Sequence, residues 1–232
     1  MQAGEKLNQD FAIEVTNPGG HSSRLAADNA IYRLGAALAK IQAIEFPIEF
    51  NDATTGFFKR MGELTPGQEG QDMHDAAMGE NAAAIRRLMV NLGYNALLRT
   101  TCIATELSAG HAPNALPQRA TANVNCRIFP GRTQEAIQKQ LIAAIGDAGV
   151  SVTMKSDPEE PGAPPKLTPD ILGPIEKSLN GCGPACVSFP QWRPAPQTAA
   201  SSRPPRFQPT ASPAFLPIQT QAACTASTNA SA

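Results

Sequence analysis

Apolar and polar positions alternate over residues 9–16, with Phe11, Ile13 and Val15 on one face. That period of two predicts a half-buried strand, which Asn17-Pro-Gly-Gly then breaks. Asp28 is placed to cap a helix carrying Ile31, Leu34, Leu38 and Ile41 at helical spacing. Pro47 keeps residues 46–50 extended, residues 52–61 allow a helical turn or two, and Thr65-Pro-Gly ends them. Ile85, Leu88, Met89 and Leu92 form the apolar stripe of a helix over 81–92, closed by Gly93. Two strands follow at 99–107 and 120–129. In the second, Ala122, Val124, Cys126 and Ile128 face inward and Asn123, Asn125 and Arg127 outward. Thr133 caps a helix through Ile145, residues 150–154 form a short strand, 157–165 are a Pro-rich linker, and Pro169 opens a last short helix. This order predicts an α+β fold, an antiparallel sheet with helices on one face.

Composition changes the picture at one end. The 232 residues, enough for one large or two small domains, include 21 prolines that crowd toward the C-terminus. From Ser178 onward there is no Asp, Glu, His or Lys, and the charges are Arg193, Arg203 and Arg206. The chain as a whole is nearly neutral, with 19 basic and 20 acidic residues, so no nucleic-acid partner is implied. No apolar run reaches the length of a membrane span, and the basic-then-apolar start of a signal region is missing. The opening Met1-Gln-Ala-Gly-Glu-Lys reads as entry into the middle of a larger fold. Cys102 and Cys126, in apolar-alternating segments, read as buried reduced thiols. Cys182-x-x-x-Cys186 has neither a nearby His nor a second Cys pair, which argues against a zinc site there. The cysteines leave the compartment open.

Two loops carry the candidate chemistry. Asn17-Pro-Gly-Gly-His-Ser-Ser puts His21 on a Gly-rich turn directly after a strand. Gly110-His-Ala-Pro-Asn-Ala-Leu-Pro puts Asn114 between two prolines, ahead of the strand that presents Arg127. In this order the motifs resemble the dinuclear-zinc hydrolase family of acetylornithine deacetylase, succinyl-diaminopimelate desuccinylase and the glutamate-type carboxypeptidases, peptidase family M20. The match runs from about Lys6 to Lys177. The resemblance implies a lid or dimerisation domain over 8–128 with a helical insert at about 45–97. It further implies part of an α/β catalytic domain over 129–177. His21 then looks like the lid histidine that reaches the partner subunit's active site and donates to the tetrahedral oxyanion. Asn114 resembles the residue that bonds the substrate backbone, and Arg127 the fork that holds a substrate carboxylate. Where the family often carries an acid two residues before the arginine, this chain has Asn125. A homodimer through the lid is implied, as is a peptide or N-acyl amino acid substrate of the intact parent.

Each candidate has a plainer alternative: a solvent-facing turn histidine, a turn-forming asparagine and a solvated strand arginine. His74 and His111 fall outside the motif pattern and read as solvated. Ser22-Ser23 lacks the Asp and His partners of a nucleophile. Glu159-Glu160 looks like the family's base-and-ligand pair but stands after the lid instead of before it, as a linker charge pair would. The family's metal centre uses a His-x-Asp motif, a bridging Asp, the Glu-Glu pair and a late His. This chain has no His-x-Asp motif and no histidine in its tail, so zinc is expected in the intact parent and not in this chain.

Residues 178–232 are expected to be unstructured. Plausible codons for the eight residues from Cys224, read two bases later, spell His-Gly-Leu-Asn-Glu-Arg-Ile, similar to the family's C-terminal motif. The same shift over 190–199 permits Thr-Met-Ala-Thr-Gly-Ala-Thr-Asp-Gly, and over 206–214 Ile-Pro-Thr-Tyr-Gly-Val-Ser-Gly. The expectation is a frameshift near Ser178. The alternative is a genuine Pro-rich disordered tail. Function is then expected to be that of an inactive fragment of a zinc-dependent peptidase or amidohydrolase. The alternatives are a non-enzymatic dimerisation module and a non-functional truncated product.

Overall fold

The computed structural model describes residues 2–180, except 25, 80, 161, 162, 164 and 165, together with residues 191–194. In chain order the elements are β1 (Gln2–Thr16), β2 (Gly20–His21), α1 (Ala30–Gln42), α2 (Asp52–Leu64), α3 (Gln68–Met78), α4 (Ala82–Leu88), α5 (Leu92–Leu98), β3 (Thr101–Ala109), β4 (Ala115–Leu116), β5 (Arg119–Ile128), α6 (Gln134–Ile145), β6 (Val150–Met154), α7 (Pro169–Asn180) and β7 (Gln191–Pro194).

The alternation in β1 does what it predicts: Phe11, Ile13 and Val15 are fully buried. Each removes a large apolar side chain from water, worth about 1.5–3 kcal/mol. They pack under Leu34, Ala37 and Ile41 of α1 and Ile137, Leu141 and Ile145 of α6, which cover one face of the sheet. The strand order is β3-β5-β1-β6 and all three pairings are antiparallel. With a helix between β1 and β3 and another between β5 and β6, this is a β-α-β-β-α-β unit. Its other face is polar: Asp10 Oδ1 accepts from Asn125 Nδ2 at 2.7 Å and from Asn123 Nδ2 at 3.1 Å.

Local chemistry moves several boundaries. Asn29, not Asp28, caps α1, its side-chain oxygen accepting from the Ile31 N–H at 2.8 Å. Asp28 instead pairs with Arg33, whose guanidinium also forks onto Asp147 at 2.7 and 2.8 Å. The helix over 81–92 is two helices, because Asn91 Oδ1 accepts from the N–H groups of Gly93 and Tyr94 and starts α5 there. Gly93 therefore opens a helix where a terminator is expected. Helix α3 lacks an apolar stripe strong enough to announce itself. It packs closely on α2, since a Cβ at Gly70 would stand 1.9 Å from the Thr65 carbonyl oxygen.

Helices α2 to α5 follow α1 and have a core of their own around Phe58, Met73, Leu88 and Leu98. Phe58 meets Phe50, Phe57 and Tyr94 edge-on, with centroids 6.1, 5.3 and 5.5 Å apart. Asp72, 3% exposed, is forked by Arg87 at 2.7 and 2.5 Å. That hydrogen-bonded pairing holds its carboxyl down at about 2. These helices are tied to the sheet by Lys6, a buried residue of β1 whose ammonium donates to the carbonyls of Ala96 and Arg99 at the end of α5. Burial lowers that lysine to about 8.

Two expectations change. Cys102 and Cys126 are joined as a disulfide rather than standing as reduced thiols. The register of β3 and β5 sets them directly opposite each other, Cα to Cα 4.1 Å, which places both sulfurs in one gap between strands. Gln191–Pro194, within the stretch expected to be unstructured, forms β7 and pairs parallel with the start of β1. The rest of the proposed frameshifted segment beyond Asn180 lies outside the described residues.

Candidate functional site

The site is assembled at the end of β1. Asn17 closes the strand by donating its backbone N–H to the Gln118 carbonyl at 2.8 Å, while its side-chain oxygen accepts from the Gly19 N–H at 2.9 Å. Gly19 has φ +80, and a Cβ there would stand 2.7 Å from Gln118 Cγ, so the turn needs glycine for both conformation and space. The chain then runs into β2, which pairs antiparallel with β4, Gly20 opposite Leu116 and His21 opposite Ala115. The ladder continues one step further, from the Ser22 N–H to the Asn114 carbonyl at 2.9 Å.

This small second sheet brings two of the three predicted residues together. His21 and Asn114 both lie exposed on adjoining segments. The His21 ring folds back on its own turn: Nδ1 lies 2.8 Å from Ser23 Oγ and accepts from the Ser23 backbone N–H at 3.2 Å. His111, exposed, stands on the same loop as Asn114. Arg127 does not join them within one chain. It sits half-buried on β5 opposite Asn8 and Thr101, eight positions from Arg119, roughly 26 Å along the strand.

Nearer the turn is an arginine that motif reasoning passes over. Arg119 starts β5 opposite Thr16 and is bound to Glu14 at 2.6 Å, a bond that raises its pKa. The signal available in the sequence is its position two residues after Pro117, where the loop must rejoin the sheet. Ser23 is the other residue missed, because a serine weighed only as a nucleophile is not weighed as a partner for the histidine beside it.

His74 is exposed on α3 and Glu159 and Glu160 are exposed in the linker. Among the described residues no group of three or more His, Cys, Asp or Glu side chains is gathered that could hold an ion. What the described residues bring together at this turn is a set of hydrogen-bond donors and acceptors.

The sequence profile of the peptidase dimerisation domain matches residues 4–153. The chain is 31% identical over 148 residues to the human N-fatty-acyl-amino acid synthase/hydrolase PM20D1, covering 62% of this chain and 29% of that protein. It is 27% identical over 172 residues to a probable carboxypeptidase S-like 2 of Dictyostelium discoideum, covering 68% of this chain and 30% of the other. The chain thus spans about three-tenths of the length of these curated relatives. Among solved structures, an M20 family metallo-carboxypeptidase of Sulfolobus solfataricus superposes with a TM-score of 0.46 at 16% identity, covering 83% of this chain and 53% of that one. Human carnosine dipeptidase 1 gives 0.47 at 12% identity, covering 83% and 44%.

Proposed function

The chain belongs to the peptidase dimerisation-domain family of the M20 peptidases, and from that membership we infer that it is the lid of a metal-dependent amide hydrolase. In the assembled enzyme, zinc held by residues outside this lid would supply the activation of water for hydrolysis of a peptide or N-acyl amino acid amide. His21 donates to the oxyanion and Asn114 bonds the substrate backbone, with Arg127 as a carboxylate fork reached from another surface of the assembly. The observation that supports this reading is the β2–β4 pairing, which holds the His21 turn against the Asn114 loop. The zinc ligands belong to a catalytic segment that this chain's motifs do not encode, and the chain alone is inactive. For 178–232 we propose a shifted reading frame, which resequencing the coding DNA tests: an uninterrupted single frame in independent clones excludes it.

The test of activity is direct. The purified chain, with zinc added, is assayed against N-acyl amino acids and dipeptides while bound metal is counted by mass spectrometry. No hydrolysis is expected; turnover with stoichiometric bound zinc overturns the reading.

A second reading is a dimerisation module without activity, and β3 favours it. This edge strand exposes Ile103 and Leu107, each 64% accessible, beside α1, whose Tyr32 is 78% accessible. A bulge between Ala104 and Glu106 turns Ile103 to the polar face and Leu107 to the helix-covered face, so apolar surface lies on both sides of the open edge.

A further inference from the structure

We propose that Ser23 is a positioning residue that holds His21 in the neutral tautomer protonated at Nε2. The ring Nδ1 faces two groups of one residue, the Ser23 backbone N–H at 3.2 Å and the Ser23 hydroxyl at 2.8 Å. A backbone N–H can only donate. Its bond to Nδ1 therefore requires an unprotonated nitrogen there, and the hydroxyl, which can act either way, must donate as well. The ring proton is then on Nε2.

The backbone fixes this arrangement. The His21 carbonyl accepts from the Arg24 N–H at 3.1 Å, closing the turn that carries Ser23, while the Ser22 N–H is bound to Asn114. His21 itself is locked into the ladder opposite Ala115. The two imidazole nitrogens point in widely diverging directions, so a ring whose Nδ1 is folded onto the turn presents its Nε2–H away from it. His21 is exposed, and that N–H is the group it shows to whatever approaches.

The consequence rests on the reading of His21 as an oxyanion donor; the tautomer itself does not. A neutral ring with Nε2–H outward stabilises developing negative charge without first taking up a proton. The opposite tautomer would present a lone pair to that charge and repel it. The residue two positions after the histidine thus sets which ring nitrogen presents its proton outward.

The experiment is long-range proton–nitrogen correlation on the full chain labelled with 15N-histidine, at pH 8, with the His21→Gln variant assigning the His21 signals. The wild-type ring is expected to show an unprotonated Nδ1 and a protonated Nε2. In Ser23→Ala, which loses the hydroxyl donor and keeps the backbone N–H, both nitrogens move part of the way toward the averaged positions of a freely exchanging ring, and Ser23→Thr restores the wild-type pattern. Unchanged backbone amide spectra in the variants establish that the fold is kept. A wild-type His21 protonated at Nδ1, or already averaged as in Ser23→Ala, overturns the proposal and leaves the hydrolase reading standing. A fixed Nε2–H ring in a protein whose His21→Gln variant forms an equally active hydrolase with its catalytic segment would sink the hydrolase role instead.

Discussion

The backbone N–H of Ser22 donates to the carbonyl of Asn114 at 2.9 Å, joining two turns that are 92 positions apart in the chain. Through that bond and the β2–β4 pairs, a histidine in β2 and an asparagine just ahead of β4 become neighbours. The precision of this pairing depends on the turn that precedes it.

Gly19→Ala tests that dependence. The substitution puts a Cβ 2.7 Å from Gln118 Cγ and forces an L side chain to hold φ +80. A loss of about 1–3 kcal/mol in urea unfolding is expected. Adding Gln118→Ala to the variant should recover the steric part and leave the conformational part. A Gly19→Ala chain as stable as the wild type would show that the turn is not strained in this way.

Lys6 makes a pH prediction. Burial brings it down to about 8, against 10.5 for an exposed lysine. Between those values the unfolded chain holds a proton that the folded chain has shed, so stability rises with pH across this window. Urea titrations at pH 7.5 and 9.5 should show the rise in the wild type and its loss in Lys6→Met. Lys6→Ala should also cost about 1–3 kcal/mol, because the carbonyls of Ala96 and Arg99 lose their donor.

Peptide mapping without reductant should recover Cys102 and Cys126 in one linked species. Reduction is expected to lower stability by roughly 2–4 kcal/mol, the range for a loop of this size. Two separately alkylated cysteines in the untreated protein would contradict the bond.

How much of this is legible from residues alone differs by element. The strand carrying Phe11, Ile13 and Val15 and the strand carrying Val124 and Ile128 declare themselves, because one buried face imposes a strict period of two. The helices α1 and α6 do the same through Leu34, Ile41, Ile137 and Leu141. The split at Asn91 is hidden, since an apolar stripe continues across it and only the side-chain cap breaks the helix. The disulfide is hidden too, because pairing Cys102 with Cys126 needs the register and not merely the strands. At the site, the Gly-His turn and the Asn loop stand out as motifs, but their contact runs through β2 and β4, two residues each and too short to leave a pattern. Arg127 shows the converse: sequence order groups it with His21 and Asn114, and the length of β5 separates it from them.

The proposed lid role and the dimerisation reading both imply pairing with a second copy of the chain, so its state of association is the most direct measurement. Sedimentation equilibrium is predicted to give about twice the 24.4 kDa of the chain, and Leu107→Lys on the open edge of β3 to return it to a single copy. A strictly monomeric wild-type chain at tens of micromolar would contradict the account.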